Sequence, residues 1–340
     1  MTTEPVTGPL ALPISNSQLA SDLQGHLAQV EERLLDAVAQ ADALADDASR
    51  HLVAAGGKRL RPLLTLLASN LGDGVNEQVI DAAMVVELTH LATLYHDDVM
   101  DSAPVRRGAP SAHEVWGNSV AILTGDLLFA RASRIVAGLG PEAVVLQAET
   151  FERLCLGQLR ESVGPTADED PIEHYLGVLA DKTGSLIATS ARFGALFTGA
   201  SDEHIEALVQ FGEKIGVAFQ LADDVIDLAS DADVTGKTPG TDLRERVPTM
   251  PVLLLEAAAK RPDCDDQTRE VLELLAADLD DDAALEAAIM ALRAHPALEQ
   301  ARLIAQQWAQ DAISELDALP RGDVRDALAT FASALVDRTA

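Results

Sequence analysis

Aromatic side chains make up only 3% of this 340-residue chain. A site that steers carbocations over ring faces therefore has little to work with. Cysteine is scarcer still: Cys155 and Cys264 lie far apart, with no Cys-x-x-Cys or Cys-x-x-His spacing. Neither a disulfide framework nor a structural zinc site has support, and a reducing cytosol fits the composition. Positive charge is short as well, with Lys+Arg 25 against Asp+Glu 55 and a formal net charge of -30. Such a surface repels polyanions, which argues against nucleic acid as a general partner. No apolar run approaches the roughly 20 residues needed to cross a bilayer, so any lipid must be bound in a pocket or at a surface. Residues 1–18 carry Glu4, Pro5, Pro9 and Pro13 without a basic stretch before an apolar core. They read as a flexible tail and not as a signal peptide.

What the chain has is helix. From Ser17 onward Ala and Leu dominate, apolar positions recur at three and four, and alternating runs are absent. Gly, Pro and Asp clusters mark breaks at Gly56-Gly57, Leu71 to Asn76, Ala103 to Pro110, Gly138 to Pro141, Gly164 to Pro171, Gly199 to Asp202, Ser230 to Pro251 and Arg261 to Asp266. None resembles an interdomain linker. The expected fold class is all-α, a single helical domain over residues 19–340.

One short pattern occurs twice: Asp97-Asp98-Val99-Met100-Asp101 and Asp223-Asp224-Val225-Ile226-Asp227. In so acidic a chain most acid clusters are solvated faces or helix starts, and Asp280 to Asp282 before an Ala-rich run reads as a helix start. The duplicated motif differs in position. Each copy closes an apolar helical stretch, where the negative end of the helix dipole and the neighbouring carboxylates all oppose it. First and last Asp are four apart, on one face, so both reach one ion or a pair of ions. Oxygen ligands without His or Cys suit Mg²⁺ or Mn²⁺, which fill their remaining positions with water and substrate phosphate. A divalent-metal diphosphate site follows.

The scarce cations are grouped too. Gly56-Gly57-Lys58-Arg59-Leu60-Arg61-Pro62 sets three cations beside a glycine pair that lets backbone approach an anion, and Arg106-Arg107-Gly108 follows the first acidic motif. Lys58 and Arg61, three apart, are expected to share a face at a helix start. His90 precedes Asp97 by seven and lies on nearly the same stripe, which favours an anion contact; His96 is read as structural. Lys182-Thr183 and Gln220, which leads Asp224 by four and Asp227 by seven, complete the candidate set.

GGKRLRP, HDDVMD, RRG, KT, FQLADDVID and the Gly236-Lys237 loop occur in an order similar to that of the trans-type polyprenyl diphosphate synthases, from about Ala45 to Pro251. The resemblance implies an isoprenoid synthase-type helical bundle around a central cleft and head-to-tail condensation of isopentenyl diphosphate with an allylic diphosphate. It implies that Asp97, Asp101 and Asp223, with Asp98, Asp224 and Asp227, hold Mg²⁺ on the allylic diphosphate. Lys58, Arg61, His90 and Arg107 resemble contacts to isopentenyl diphosphate; Arg106, Lys182, Thr183, Gln220 and Lys237 resemble contacts to the allylic diphosphate. The family also suggests a homodimer; the cysteine usage places it in the cytoplasm, and transient membrane contact would serve product release. One departure stands out: the family commonly has Gly-Lys after Asp-Leu-x-Glu, whereas Arg246-Val247 follows Asp242-Leu243-Arg244-Glu245 here.

Thr93 lies four before Asp97, about 6 Å further down the same face, Thr89 continues that stripe and Ala92 flanks it. All three are small, and bulky aromatics near these positions close the pocket early in this family. Their absence implies a product longer than geranylgeranyl, in the range of quinone side chains. Two rivals share some of these features. A terpene cyclase would lack the second full acidic motif and the cation cluster, and a non-catalytic or regulatory subunit of a heteromeric synthase would account for the missing lysine.

Overall fold

A computed structural model describes residues 14–229 and 239–336. The helices begin where side chains meet the free N–H groups of a first turn. Asn16 caps α1 (Ser17–Ala37), Asp42 caps α2 (Ala43–Ala54) and Asn76 caps α4 (Glu77–Met100). Asp170 caps α8 (Pro171–Leu179), whose Pro171 occupies the one position where a missing N–H costs nothing. Between these run α3 (Leu60–Ala68), α5 (Ala112–Trp116), α6 (Asn118–Leu139) and α7 (Pro141–Val163). α9 (Ser185–Leu196) and α10 (Asp202–Ala229) follow, and further helices span Thr241–Arg244, Met250–Ala259, Asp266–Leu275, Asp282–Ala294, Pro296–Glu315 and Asp323–Val336. Seven of the expected breaks coincide with helix ends; of the eighth, Ser230 to Pro251, residues 230–238 lie outside the described residues and the short helix Thr241–Arg244 falls within the rest, and Asp281 caps the helix that Asp280 to Asp282 was expected to start. Of the expected tail, residues 1–13 lie outside the described residues; Ile14 is buried and Ser17 already opens α1. The break from Ala103 to Pro110 holds the only strand pairing among the described residues: β1 (Val105–Arg106) against β2 (Ala109–Pro110), antiparallel.

The chain divides into two compact units. The first takes residues 1–154, 185–212 and 315–331. Its centre is α4, whose Val79, Ile80, Ala82, Ala83, Val85, Val86, Leu88, Leu91 and Ala92 are all buried. A helix apolar on every side must be surrounded, and α1, α3, α6 and α9 pack against it. Fully burying each leucine or valine contributes about 1.5–3 kcal/mol. Contacts between elements are close: a Cβ on Gly194 of α9 would lie 2.1 Å from the Thr65 carbonyl oxygen of α3. Tyr95, fully buried, donates its hydroxyl hydrogen to the Ala48 carbonyl and accepts from the Leu52 N–H, tying α2 to the last turns of α4.

The second unit takes residues 155–184, 213–314 and 332–340. Here helix Met250–Ala259 packs on α8, and Asp282–Ala294 packs on Asp266–Leu275. A π-helical turn at Ala180–Gly184 interrupts the passage from α8 to α9. Such turns widen the helix by one residue and recur at functional sites. Gly216 accommodates this turn, because a Cβ there would lie 2.5 Å from the Gly184 Cα.

Gly194→Ala is expected to destabilise the protein by about 1–3 kcal/mol, since the obstacle is backbone and cannot rotate away. Gly138→Ala in α6, where an added Cβ meets nothing within 4 Å, should leave stability unchanged or raise it by up to about 1 kcal/mol. Parallel urea denaturation of the two variants checks the contrast.

Candidate active site

In the first unit the acidic motif ends α4 as expected, with Asp101 as its C-cap. Its members are not equivalent. Asp101 is exposed and Asp97 half-buried, whereas Asp98 is fully buried. Its Oδ1 accepts from Arg106 Nε at 2.6 Å, and its Oδ2 is buried without a hydrogen-bond partner. Burial pushes the Asp98 carboxyl above its ordinary range, against the charge and hydrogen bond of Arg106.

Arg106 and Arg107 are placed by the β1–β2 hairpin. Arg107 at φ 54° and Gly108 at φ 78° form its two-residue turn, the positive-φ type that matches strand twist. The turn sends the Arg106 side chain to Asp98 and the Arg107 guanidinium to the end of α2, where Nη1 donates to the Leu52 carbonyl at 3.0 Å and to the Gly56 carbonyl. A Cβ on Gly57 would lie 2.7 Å from Arg107 Cζ. The glycine pair, read from sequence as room for an anion, leaves room for this guanidinium.

The expectation that Lys58 and Arg61 share a helix face is corrected by the backbone. Arg59 is left-handed at φ 47° and α3 starts only at Leu60, so Lys58 precedes the helix and Arg61 is in its first turn. Arg59, with no role assigned from sequence, is 3% exposed. Its guanidinium binds Glu31 of α1 through Nε and through Nη2 at 3.1 Å, Glu87 Oε1 through Nη1 at 2.7 Å, and the Val53 carbonyl through Nη2 at 3.0 Å. Glu87 Oε1 also lies 3.9 Å from Arg107 Nη2. The hydrogen bonds and charges of Glu31 and Glu87 overcome the effect of burial and hold the Arg59 pKa above its ordinary value. Burial dominates at Arg61, pulled down to about 10 despite Glu87, and its Nε is buried without a partner. His90 is held well below its ordinary value by burial and by Arg61, Arg107, Arg59 and Arg106. Its imidazole is therefore neutral near pH 7 in the chain by itself and offers an N–H donor instead of a cation.

The positions assigned to product length are packed differently. Thr89 is fully buried; its hydroxyl donates to the Val85 carbonyl and accepts from Gln147 Nε2 of α7 at 2.7 Å. Ala92 is fully buried where α6 crosses at Gly125. Thr93 is half-buried, its hydroxyl on the His90 carbonyl. His96 is structural as expected, its ring nitrogen 3.1 Å from the Ile122 carbonyl.

In the second unit the other motif closes α10 with the same division. Asp223 and Asp227 are half-buried and Asp224 is buried. Tyr175 donates to Asp224 Oδ2 at 2.6 Å and the Met250 N–H donates to the same oxygen at 3.1 Å. Burial pushes Asp224 up to about 8, against those two hydrogen bonds and with the charges of Asp242 and Asp223. Asp227 Oδ2 accepts the Asp242 N–H at 3.3 Å. Lys182 lies in the π-helical turn, its ammonium on Glu161 of α7 at 2.5 Å, with Thr183 buried beside it and Gln220 half-buried on α10. Lys237 lies outside the described residues. Arg244 binds Asp282 at 2.6 Å, and Arg246, at φ 57°, donates to the Ala277 carbonyl at 3.0 Å. Neither arginine is turned toward the motif to stand for the missing lysine.

A divalent cation fits this donor set in a specific way. Among the described residues no three acidic, His or Cys side chains gather closely enough to hold a metal by themselves. Mg²⁺-type sites need only one or two carboxylates plus water and phosphate oxygens. Helical spacing offers that pair twice, as Asp97 with Asp101 and as Asp223 with Asp227.

The profile of the polyprenyl synthetase family matches residues 42–292. Nonaprenyl diphosphate synthase of Mycobacterium tuberculosis is 46% identical over 98% of both chains. The crystal structure of geranylgeranyl pyrophosphate synthase from Corynebacterium glutamicum, complexed with calcium and isoprenyl diphosphate, superposes with a TM-score of 0.84 at 43% identity over 96% of this chain and 99% of that one. A decaprenyl diphosphate synthase from Rhodobacter capsulatus gives 0.84 at 32% identity, covering 95% and 99%. A helical fold ending two helices in paired carboxylates is that of an isoprenyl synthase, and this chain belongs to the polyprenyl synthetase family. It is a prenyltransferase, a polyprenyl diphosphate synthase.

Sequence reading missed Arg59, Glu31, Glu87 and Tyr175. Glu87 left a trace, as an acid inside an apolar run three residues before His90. Tyr175 left none, because its partner is 49 residues away. Glu87→Gln is expected to destabilise the fold by about 3–5 kcal/mol, since it removes the buried carboxylate that Arg59 and Arg107 share and leaves Arg59 only the part-exposed Glu31. Equilibrium urea unfolding measures this directly.

Proposed function

We propose that this synthase elongates an allylic diphosphate with isopentenyl units into a linear all-trans polyprenyl diphosphate longer than geranylgeranyl, a quinone side-chain precursor. The single observation that carries the reading is the small side chain at Thr93, half-buried one turn below Asp97 and unobstructed by any aromatic at Thr89 or Ala92. Similarity to a nonaprenyl synthase supports it. The regulatory-subunit and cyclase readings lose ground, since both acidic motifs and the cation cluster are intact.

Lys58, Arg61 and Arg107 bind the diphosphate of isopentenyl diphosphate, with neutral His90 adding an N–H. Arg106, Lys182, Thr183, Gln220 and Lys237 serve the allylic diphosphate. Asp97 and Asp101, and Asp223 and Asp227, hold Mg²⁺, while buried Asp98 and Asp224 orient the helix ends through Arg106 and Tyr175. When bound, the metal supplies positive charge to the departing diphosphate. The allylic C–O bond breaks and diphosphate leaves with its electron pair; the isopentenyl double bond then forms the new C–C bond. Loss of one proton, taken up by the diphosphate, restores a double bond. No protein nucleophile is involved; the side chains orient the substrates and stabilise developing charge.

Purified protein with isopentenyl diphosphate, farnesyl diphosphate and Mg²⁺ should give linear products beyond the C20 stage on chromatography. A cyclic hydrocarbon, or no turnover, would refute the reading. Thr93→Phe should shift the distribution to shorter chains, and an unchanged distribution would remove Thr93 from the product path.

We also propose a cytoplasmic homodimer. Ile122, Leu123 and Leu127 of α6 and Val144, Val145 and Phe151 of α7 are exposed apolar residues. So many on adjacent helices of a charged protein indicate a surface that a second copy covers. No helix among the described residues is long and apolar enough to cross a membrane. Leu123→Glu, at 61% exposure, should convert the dimer to monomer in analytical ultracentrifugation.

A further inference from the structure

The cation cluster of the first unit has a charge problem that its own residues solve in an uneven way. Arg59, Arg61 and Arg107 crowd around one buried carboxylate, Glu87, three residues before His90 on α4. A single carboxylate oxygen, Oε1, serves both Arg59 at 2.7 Å and Arg107 at 3.9 Å. Glu31 changes the balance. Both of its oxygens engage Arg59, at Nε and Nη2, in the forked geometry that makes arginine–carboxylate pairs strong and directional. With the Val53 carbonyl, four of the five guanidinium hydrogens are taken by protein groups. Arg59 is thus closed to substrate, and its charge is shared between Glu31 and Glu87.

The local backbone gives this consequence. Arg59 is held at φ 47°, the left-handed turn that separates Lys58 from the first turn of α3 carrying Arg61. A non-glycine residue keeps that conformation only where its surroundings over-determine it. The anchored side chain does so here.

We propose that Glu31 of α1 is a positioning residue for isopentenyl diphosphate, acting through Arg59. It fixes the turn that presents Lys58 and Arg61, and by sharing the Arg59 charge it leaves part of Glu87 to Arg107. This rests on the reading above in which Lys58, Arg61 and Arg107 bind that substrate. Removing the Glu31 charge transfers the demand of Arg59 to Glu87, loosens the turn and weakens the grip on one diphosphate only.

The test is steady-state kinetics of Glu31→Gln in the full chain, with each substrate varied in turn, beside Glu31→Asp, Lys58→Ala and thermal melts. Glu31 has a side chain 38% exposed, so the variant retains a folded state in which kinetics can be read. KM for isopentenyl diphosphate should rise by about tenfold, the loss of one charge-assisted contact. KM for the allylic diphosphate and kcat should stay within about twofold, and Glu31→Asp should recover part of the loss. If Glu31→Gln lowers only the melting temperature while Lys58→Ala still raises KM for isopentenyl diphosphate, the residue is merely structural and the proposal fails alone. If Lys58→Ala also leaves that KM unchanged, the substrate assignment fails and takes the proposal with it.

Discussion

Like charges held close together need a counter-charge that cannot leave, and the first unit depends on one such group. Glu87 sits in the middle of α4, the central helix of that unit, surrounded by leucine, valine and alanine. A carboxylate in that position is costly by itself, and so are Arg59 and Arg107. Together they offset one another, and breaking the set is worse than never having it. The same helix ends in Asp97, Asp98 and Asp101, so one rigid rod fixes the spacing between the cation cluster and the first acidic motif.

The two acidic motifs show a shared division of labour. In each, the middle aspartate is turned inward and hydrogen-bonded by a residue from another element: Arg106 for Asp98, Tyr175 for Asp224. The outer pair, four apart, shares an adjoining, more exposed face of the helix. Burial raises the pKa of both inward carboxyls. Each is held by a partner from another element, and Asp98 Oδ2 is buried without a hydrogen-bond partner.

Close backbone approach is the other constraint. Gly57 makes way for the Arg107 guanidinium, and Gly216 makes way for the π-helical turn that carries Lys182. In both places a methyl group would displace a cation near the proposed chemistry or the turn that presents it.

Much of this was legible in the chain. Helical periodicity and Gly/Pro punctuation placed the helix ends, because those are local preferences of backbone and side chain. The Asp spacing was legible for the same reason: residues four apart share a face in any helix. The hairpin that aims Arg106 and Arg107 was not, since two-residue strands carry no periodicity to read. Nor was the left-handed Arg59, which misled the expected pairing of Lys58 with Arg61, nor the turn of Asp98 and Asp224 away from their neighbours. Those outcomes depend on partners brought from distant parts of the chain: Glu31 and Glu87, each 28 residues from Arg59, and Tyr175, 49 residues from Asp224. Composition and spacing determine which groups are available and which helical face they share. Only packing decides which charges neutralise one another in the interior and which remain for substrate, because that choice is made by desolvation and by contacts no local pattern encodes.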